Sequence, residues 1–265
     1  MTFDLARTLL LALAFAGATA AQEPGTERPA PPPATDTPAP APGTDTPAPP
    51  SKTEVPPPPP AGQPGSVAGV EHFPLESTCR WSYLLTYSVE SDGKPEEAVD
   101  HRLEAYVAEP QVVEGKPVVV LEWKLDGDLS QREYYAVEEG VVRCVRRIHG
   151  YGEHMKEYSI DPPMETARRG LAPGQEWSWS GKTGPTPGKQ LFKIAPALKK
   201  VEVPAGTFDA LEVTIEFEGE DDSRGKTTRW LAPGVGLVRE VSEVRTANTV
   251  FRSEAQLSSY SGPKR

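Results

Sequence analysis

The chain has 265 residues and a formal net charge of −10. No basic block offsets that charge, which excludes general binding to nucleic acid or to an anionic membrane surface. Thirty prolines, crowded toward one end, mark part of the chain as non-globular.

Met1 to Ala20 holds a single Arg7, an apolar run from Leu9 to Ala18, and then Ala18-Thr19-Ala20. These features read as a secretory signal over residues 1–20 with a small-residue cleavage site. The apolar run is too short for a permanent span, and no later segment is apolar enough for one. The expectation is an exported protein, periplasmic or extracellular, with no integral membrane segment after signal cleavage. No cysteine lies near the cleavage site to carry a lipid anchor.

Residues 21–65 read as a disordered, proline-rich linker. Seventeen of the 30 prolines and no aromatic residue fall between Gln22 and Gly65. Such composition cannot bury enough apolar surface to order itself. In polyproline II form it would reach on the order of 130 Å. It is expected to hold the following domain away from an attachment point. A ligand for a proline-recognising module is the rarer use of such a tract.

Residues 66–265 form one domain at net −7, large enough for a substantial core. Cys79, Trp81, Tyr83, Leu85, Tyr87 and Val89 alternate with polar residues, as a strand with one buried face requires. Asp92-Gly93, Glu114-Gly115, Asp126-Gly127 and Glu139-Gly140 are turn signals between extended runs. Val118 to Trp123 is nearly all apolar and reads as a central strand. In Val141 to Ile148, the residues Val142, Cys144, Arg146 and Ile148 share one side. Asp161-Pro162-Pro163 is expected to break the chain, with one or two short helices in Pro163–Arg169 or Ala195–Lys199. Gly181 to Gly188 reads as a long loop. Leu211, Val213, Ile215 and Phe217 alternate with Glu212, Thr214 and Glu216, and Thr249 to Tyr260 reads as the final strand. Pro204 with Gly206, and Pro233 with Gly234 and Gly236, read as corners that bend a long sheet. The whole reads as all-β: a mostly antiparallel sheet of roughly ten or more strands.

Candidates for chemistry are few. Glu220-Asp221-Asp222 lacks the ligand spacing of a calcium loop and reads as a solvated hairpin tip. His149 and His154 with Glu153 match no strong zinc spacing. No motif of phosphate binding, nucleophilic or metal-dependent hydrolysis is present, so catalytic, cofactor and metal residues are each expected to be none. Cys79 and Cys144 are the only cysteines, and two thiols in an exported protein either pair as a disulfide or stay as buried small side chains. Trp177 and Trp179 are two apart and share one strand face, either core or an apolar ligand face.

The runs LAPGQEWSW, VEVPAGTFDALEVTIE and RWLAPGVGLVRE, spread over Leu171–Val241, resemble a group of bacterial exported proteins of unknown function that includes the TapB-like proteins. That group is similar to the lipoprotein-localisation-factor (LolA/LolB-like) superfamily. The resemblance implies a half-open antiparallel β-barrel with an apolar concavity. It names no ligand residue. Two functions are expected on these grounds: a non-enzymatic binding or assembly module of the cell envelope with an unknown envelope protein as partner, or a carrier of a lipid or other hydrophobic ligand.

Overall fold

The computed structural model describes residues 69–219 and 223–262. The expected signal and linker, and the acidic tip Glu220–Asp222, lie outside them. Fifteen strands follow in order: β1 (Arg80–Ser91), β2 (Lys94–Pro95), β3 (Val99–Val107), β4 (Gln111–Val113), β5 (Lys116–Leu125), β6 (Asp128–Glu138), β7 (Val141–His149), β8 (Lys156–Arg168), β9 (Glu176–Thr183), β10 (Thr186–Ile194), β11 (Lys199–Val203), β12 (Gly206–Gly219), β13 (Arg224–Ala232), β14 (Gly236–Arg245) and β15 (Thr249–Ser261). The described residues hold no α-helix, only a 3-10 turn at Gly152–His154. None of their helices is long and apolar enough to cross a membrane.

Turn chemistry sets the meander. Asp92-Gly93, Glu114-Gly115, Asp126-Gly127 and Glu139-Gly140 each put two consecutive residues at positive φ. That is the two-residue turn whose twist matches the flanking strands. Strand period sets the faces. On β1, Trp81, Tyr83 and Leu85 are buried while Arg80, Leu84 and Thr86 are exposed. On β12, Leu211, Val213, Ile215 and Phe217 are buried in the same way.

Twelve strands close into a ring. The order runs β1, β3, β5, β6, β7, β8, β9, β10, β12, β13, β14, β15, each antiparallel to the next, and β15 pairs with β1 along the whole of β1. The resemblance implied a half-open barrel; here the β1–β15 and β10–β12 ladders complete the circle, and one weak seam remains between β8 and β9. Most buried apolar side chains point into the lumen; Val118, Val120 and Tyr134 form a separate cluster on the other face of β5 and β6. The outer face carries ion pairs such as Arg132–Glu122, Arg239–Glu254 and Arg252–Glu243. This polarity is the reverse of a membrane-spanning barrel, whose apolar band faces outward.

The two ends differ. One is covered by Gly69–Leu75, whose Val70 and Leu75 are buried and whose Phe73 packs edge-on against Tyr135. The corner between β13 and β14 lies at this end, and Gly234 N–H donates to the Glu71 carbonyl. At the other end the lumen is filled by Val89, Phe217, Val244 and Phe251.

Four local expectations are corrected. Pro162 and Pro163 do not break the chain; they sit within β8, exposed, where neither the β7 nor the β9 ladder needs their missing N–H. Pro163–Arg168 is therefore strand and Arg169 begins the next turn, and the span expected as a long loop is the tight β9–β10 hairpin. On β7 an extra residue at Val145 breaks the alternation. Arg147 and His149 turn inward and Arg146 and Ile148 outward, since one added residue exchanges the faces of all that follow.

Candidate functional site

The lumen holds two buried ion pairs on neighbouring strands. Glu133 and Arg147 face each other across β6 and β7, with Arg147 Nη2 2.9 Å from Glu133 Oε1. Trp123 Nε1–H donates to the other oxygen, Glu133 Oε2, at 3.1 Å. Arg229 and Glu240 face each other across β13 and β14, with Nε 2.6 Å from Oε2. Burial raises the Glu240 carboxyl above its ordinary range, and Arg229 beside it pulls the other way. Burial also pushes the hydroxyls of Tyr83 and Tyr135 well above theirs. His149 is held down to about 4, first by burial and then by Arg147 and Lys156; its ring packs 4.7 Å from that of Tyr158.

Glu133 from one pair and Arg229 from the other look into the same cavity, walled by Tyr83, Trp123 and Trp177 and roofed by Phe73 to Leu75. Its volume is about 50 Å³. Pockets that hold small molecules run to roughly 300–1,000 Å³. The space suits a few atoms and not an acyl chain. A larger, open groove of about 770 Å³ lies at the end of the barrel opposite Gly69–Leu75, lined among others by Glu90, Asp92, Arg224 and Arg245.

The sequence pointed to Trp177 and Trp179, and both do share the inward face of β9. Trp179 is buried and Trp177 half-buried, so they form no open apolar face. Their role lies between strands. β8 and β9 pair at two positions alone, Ile160 with Thr183 and Asp161 with Lys182. Gly181 allows that approach: a Cβ there would stand 2.5 Å from the Asp161 carbonyl oxygen. Beyond this point no ladder joins the two strands. The indoles bridge them instead. Trp179 Nε1–H donates to the Pro162 carbonyl at 2.8 Å, and Trp177 Nε1–H to the Glu165 carbonyl at 3.2 Å. Trp177 is clamped between the ring of Phe192, parallel at 4.8 Å, and the guanidinium of Arg168 at 5.4 Å. Arg168 is in turn paired with Glu165 at 2.5 Å.

Cys79 and Cys144 are both free and buried. The disulfide open to the sequence is not formed. β3, β5 and β6 lie between β1, which Cys79 precedes, and β7, which carries Cys144. Each sulfur has its own contacts: Cys79 with Glu76 and Tyr260, Cys144 with the Arg146 carbonyl. Burial pushes the Cys144 thiol up to about 12.

Sequence reasoning missed both lumen ion pairs. Their charges look like solvated outer-face residues until the strand faces are known, and the bulge at Val145 hid Arg147.

No protein-family model matches the chain, and no curated protein matches it. Two solved structures are similar. One is described as an exported protein with a YmcC-like fold from Bacteroides fragilis NCTC 9343, at 14% identity and a TM-score of 0.40, covering 73% of this chain and 100% of that one. The other is described as a lipoprotein from Parabacteroides distasonis ATCC 8503, at 14% identity and a TM-score of 0.39, covering 73% of this chain and 99% of that one.

Proposed function

We propose that the chain is an exported, non-enzymatic β-barrel module that binds or assembles with another protein of the cell envelope. One observation carries this reading: the barrel fills its own interior, leaving about 50 Å³. A body built this way offers its strands, seams and ends to partners, and its lumen has no room for a whole ligand. The secretory signal and the proline-rich spacer read from residues 1–65 fit a module held out from an attachment point. The chain enters the barrel at the Gly69–Leu75 end, and the wide groove opens at the far one.

Photo-cross-linking from outward positions such as Thr86, Glu216 and Lys226, in cells that export the full chain, tests the reading. A discrete protein adduct is expected. Adducts to lipid alone would overturn it.

A second reading is a carrier of a hydrophobic ligand. It is favoured by the cavity roof, Phe73 to Leu75, which belongs to no strand of the ring. Lipid co-purifying with the exported chain in native mass spectrometry would support the carrier, and its absence would leave the first reading standing.

A further inference from the structure

The β8–β9 seam has the features of a strand-acceptor site. Every other junction of the ring is held by a ladder of five or more residue pairs, whereas this one has two. From Pro162 to Arg168 on one side and from Glu176 to Gly181 on the other, two strand edges run without pairing to each other. On the side away from the seam β9 is laddered to β10, and β8 to β7 at Met164, Glu165, Ala167 and Arg168. Proline at 162 and 163 leaves that stretch of β8 without backbone donors. The carbonyls of Pro162 and Glu165 on β8 accept from indole N–H groups of β9. An indole donor is a side-chain substitute for a backbone N–H, and rotation of its side chain uncovers the acceptor.

The inner side of the seam meets the lumen cavity. Thr166 of β8, Trp177 of β9 and Phe192 of β10 all line it. The chemistry of the site selects its occupant. Unladdered backbone N–H and C=O groups along two edges are matched by another extended backbone and not by an acyl chain, which has no donors or acceptors to offer. A space of about 50 Å³ takes the tip of one apolar side chain.

We propose that this seam accepts an extended segment of a partner protein as an added β-strand, with an apolar side chain directed into the lumen and Trp177 and Trp179 acting as the latch that its backbone displaces. This rests on the binding-module reading above and names the surface and the kind of partner.

The test uses the purified full chain and a synthetic peptide of alternating valine and threonine with lysine ends. A second version has its threonine amides N-methylated, which removes those donors and leaves the side chains. Hydrogen exchange is followed at residues 164–168 and 176–181. Fast exchange in the free chain is expected, slowed by the plain peptide and not by the methylated one. The double variant W177F/W179F, which keeps aromatic bulk but loses both indole donors, is expected to bind the plain peptide roughly tenfold more tightly, from the release of two bonds of modest net strength. The single variant W177F is expected to shift binding in the same direction, and serves if the double variant fails to fold. Exchange at the seam as slow as at β1 and β15, equal binding of the methylated peptide, or displacement of the peptide by a long-chain fatty acid would each overturn the proposal. These outcomes are separate from the cellular cross-links: a protein adduct with no response at the seam leaves the module and removes this site.

Discussion

The indole Nε1 of Trp81 donates to the carbonyl of Val235 across 2.6 Å. This bond ties the first strand of the ring to the corner between β13 and β14. Two more aromatic donors do the same: Tyr260 Oη reaches the Gly234 carbonyl at 2.9 Å, and Tyr83 Oη the Leu237 carbonyl at 3.0 Å. A corner that turns three carbonyls toward the barrel needs left-handed backbone, and Gly234 and Gly236 supply it at φ +71° and +86°.

A β-branched residue at either glycine is therefore expected to lower stability. The left-handed conformation costs a residue with a Cβ about 1–2 kcal/mol. At Gly236 the added Cβ would also stand 3.1 Å from Pro74 Cδ. G234V and G236V should each lower the melting temperature by about 5 °C for a domain of this size. Unchanged melting of both variants would show that the corner is not strained.

The Glu133–Arg147 pair gives a prediction with a sign reversal. Removing one partner leaves a charge buried and alone. E133Q or R147M should cost about 3–5 kcal/mol. The double variant E133L/R147M, which replaces the pair with apolar bulk, should recover most of that loss. Urea midpoints of the three proteins test it, and a double variant as unstable as the sum of the singles would contradict it.

His149 makes stability depend on pH. Its folded value of about 4 lies below the ordinary histidine value of 6.5, so the unfolded chain binds the proton more tightly. The stability it contributes is complete above about pH 6.5 and is lost as pH falls toward 4. The loss amounts to about 3 kcal/mol. Urea denaturation between pH 4 and 7 should show this slope in the native chain and a flatter one in H149F, which keeps a ring against Tyr158. Parallel slopes in the two proteins would remove His149 as the source.

The two cysteines should resist modification in the folded chain. Both thiols are buried, and burial raises both above the ordinary thiol range. Iodoacetamide at pH 8 should label neither until urea is added, and then both. A non-reducing mass equal to the reduced mass confirms two free thiols.

Much of this fold was legible in the sequence because its signals are local. Each of the four Asp-Gly and Glu-Gly pairs became the expected tight turn, since only residues that tolerate positive φ fit there. The alternation from Leu211 to Phe217 became β12 with its faces as read. The features that escaped are those set by partners. Pro162 and Pro163 look like a break until β8 is seen to lack a ladder there. Arg146 looks inward until an unpaired Val145 shifts the register. Trp177 and Trp179 were found as a pair on one face, but nothing in their spacing says that their donors would reach across to Pro162 and Glu165.

The pairing of β1 with β15 also dictates an order of assembly. Most neighbours around the ring follow one another in the chain, so their hairpins can form as soon as both arms exist. Arg80, by contrast, is opposite Ser261, and loop closure over that separation is slow. If the chain emerges amino end first, Trp81, Tyr83 and Leu85 wait, apolar and half-paired, until the last strand arrives. Throughout that interval the unpaired edge of β1 is a template for wrong partners. Folding of this domain thus carries a window of vulnerability whose length is set by delivery of its final hairpin.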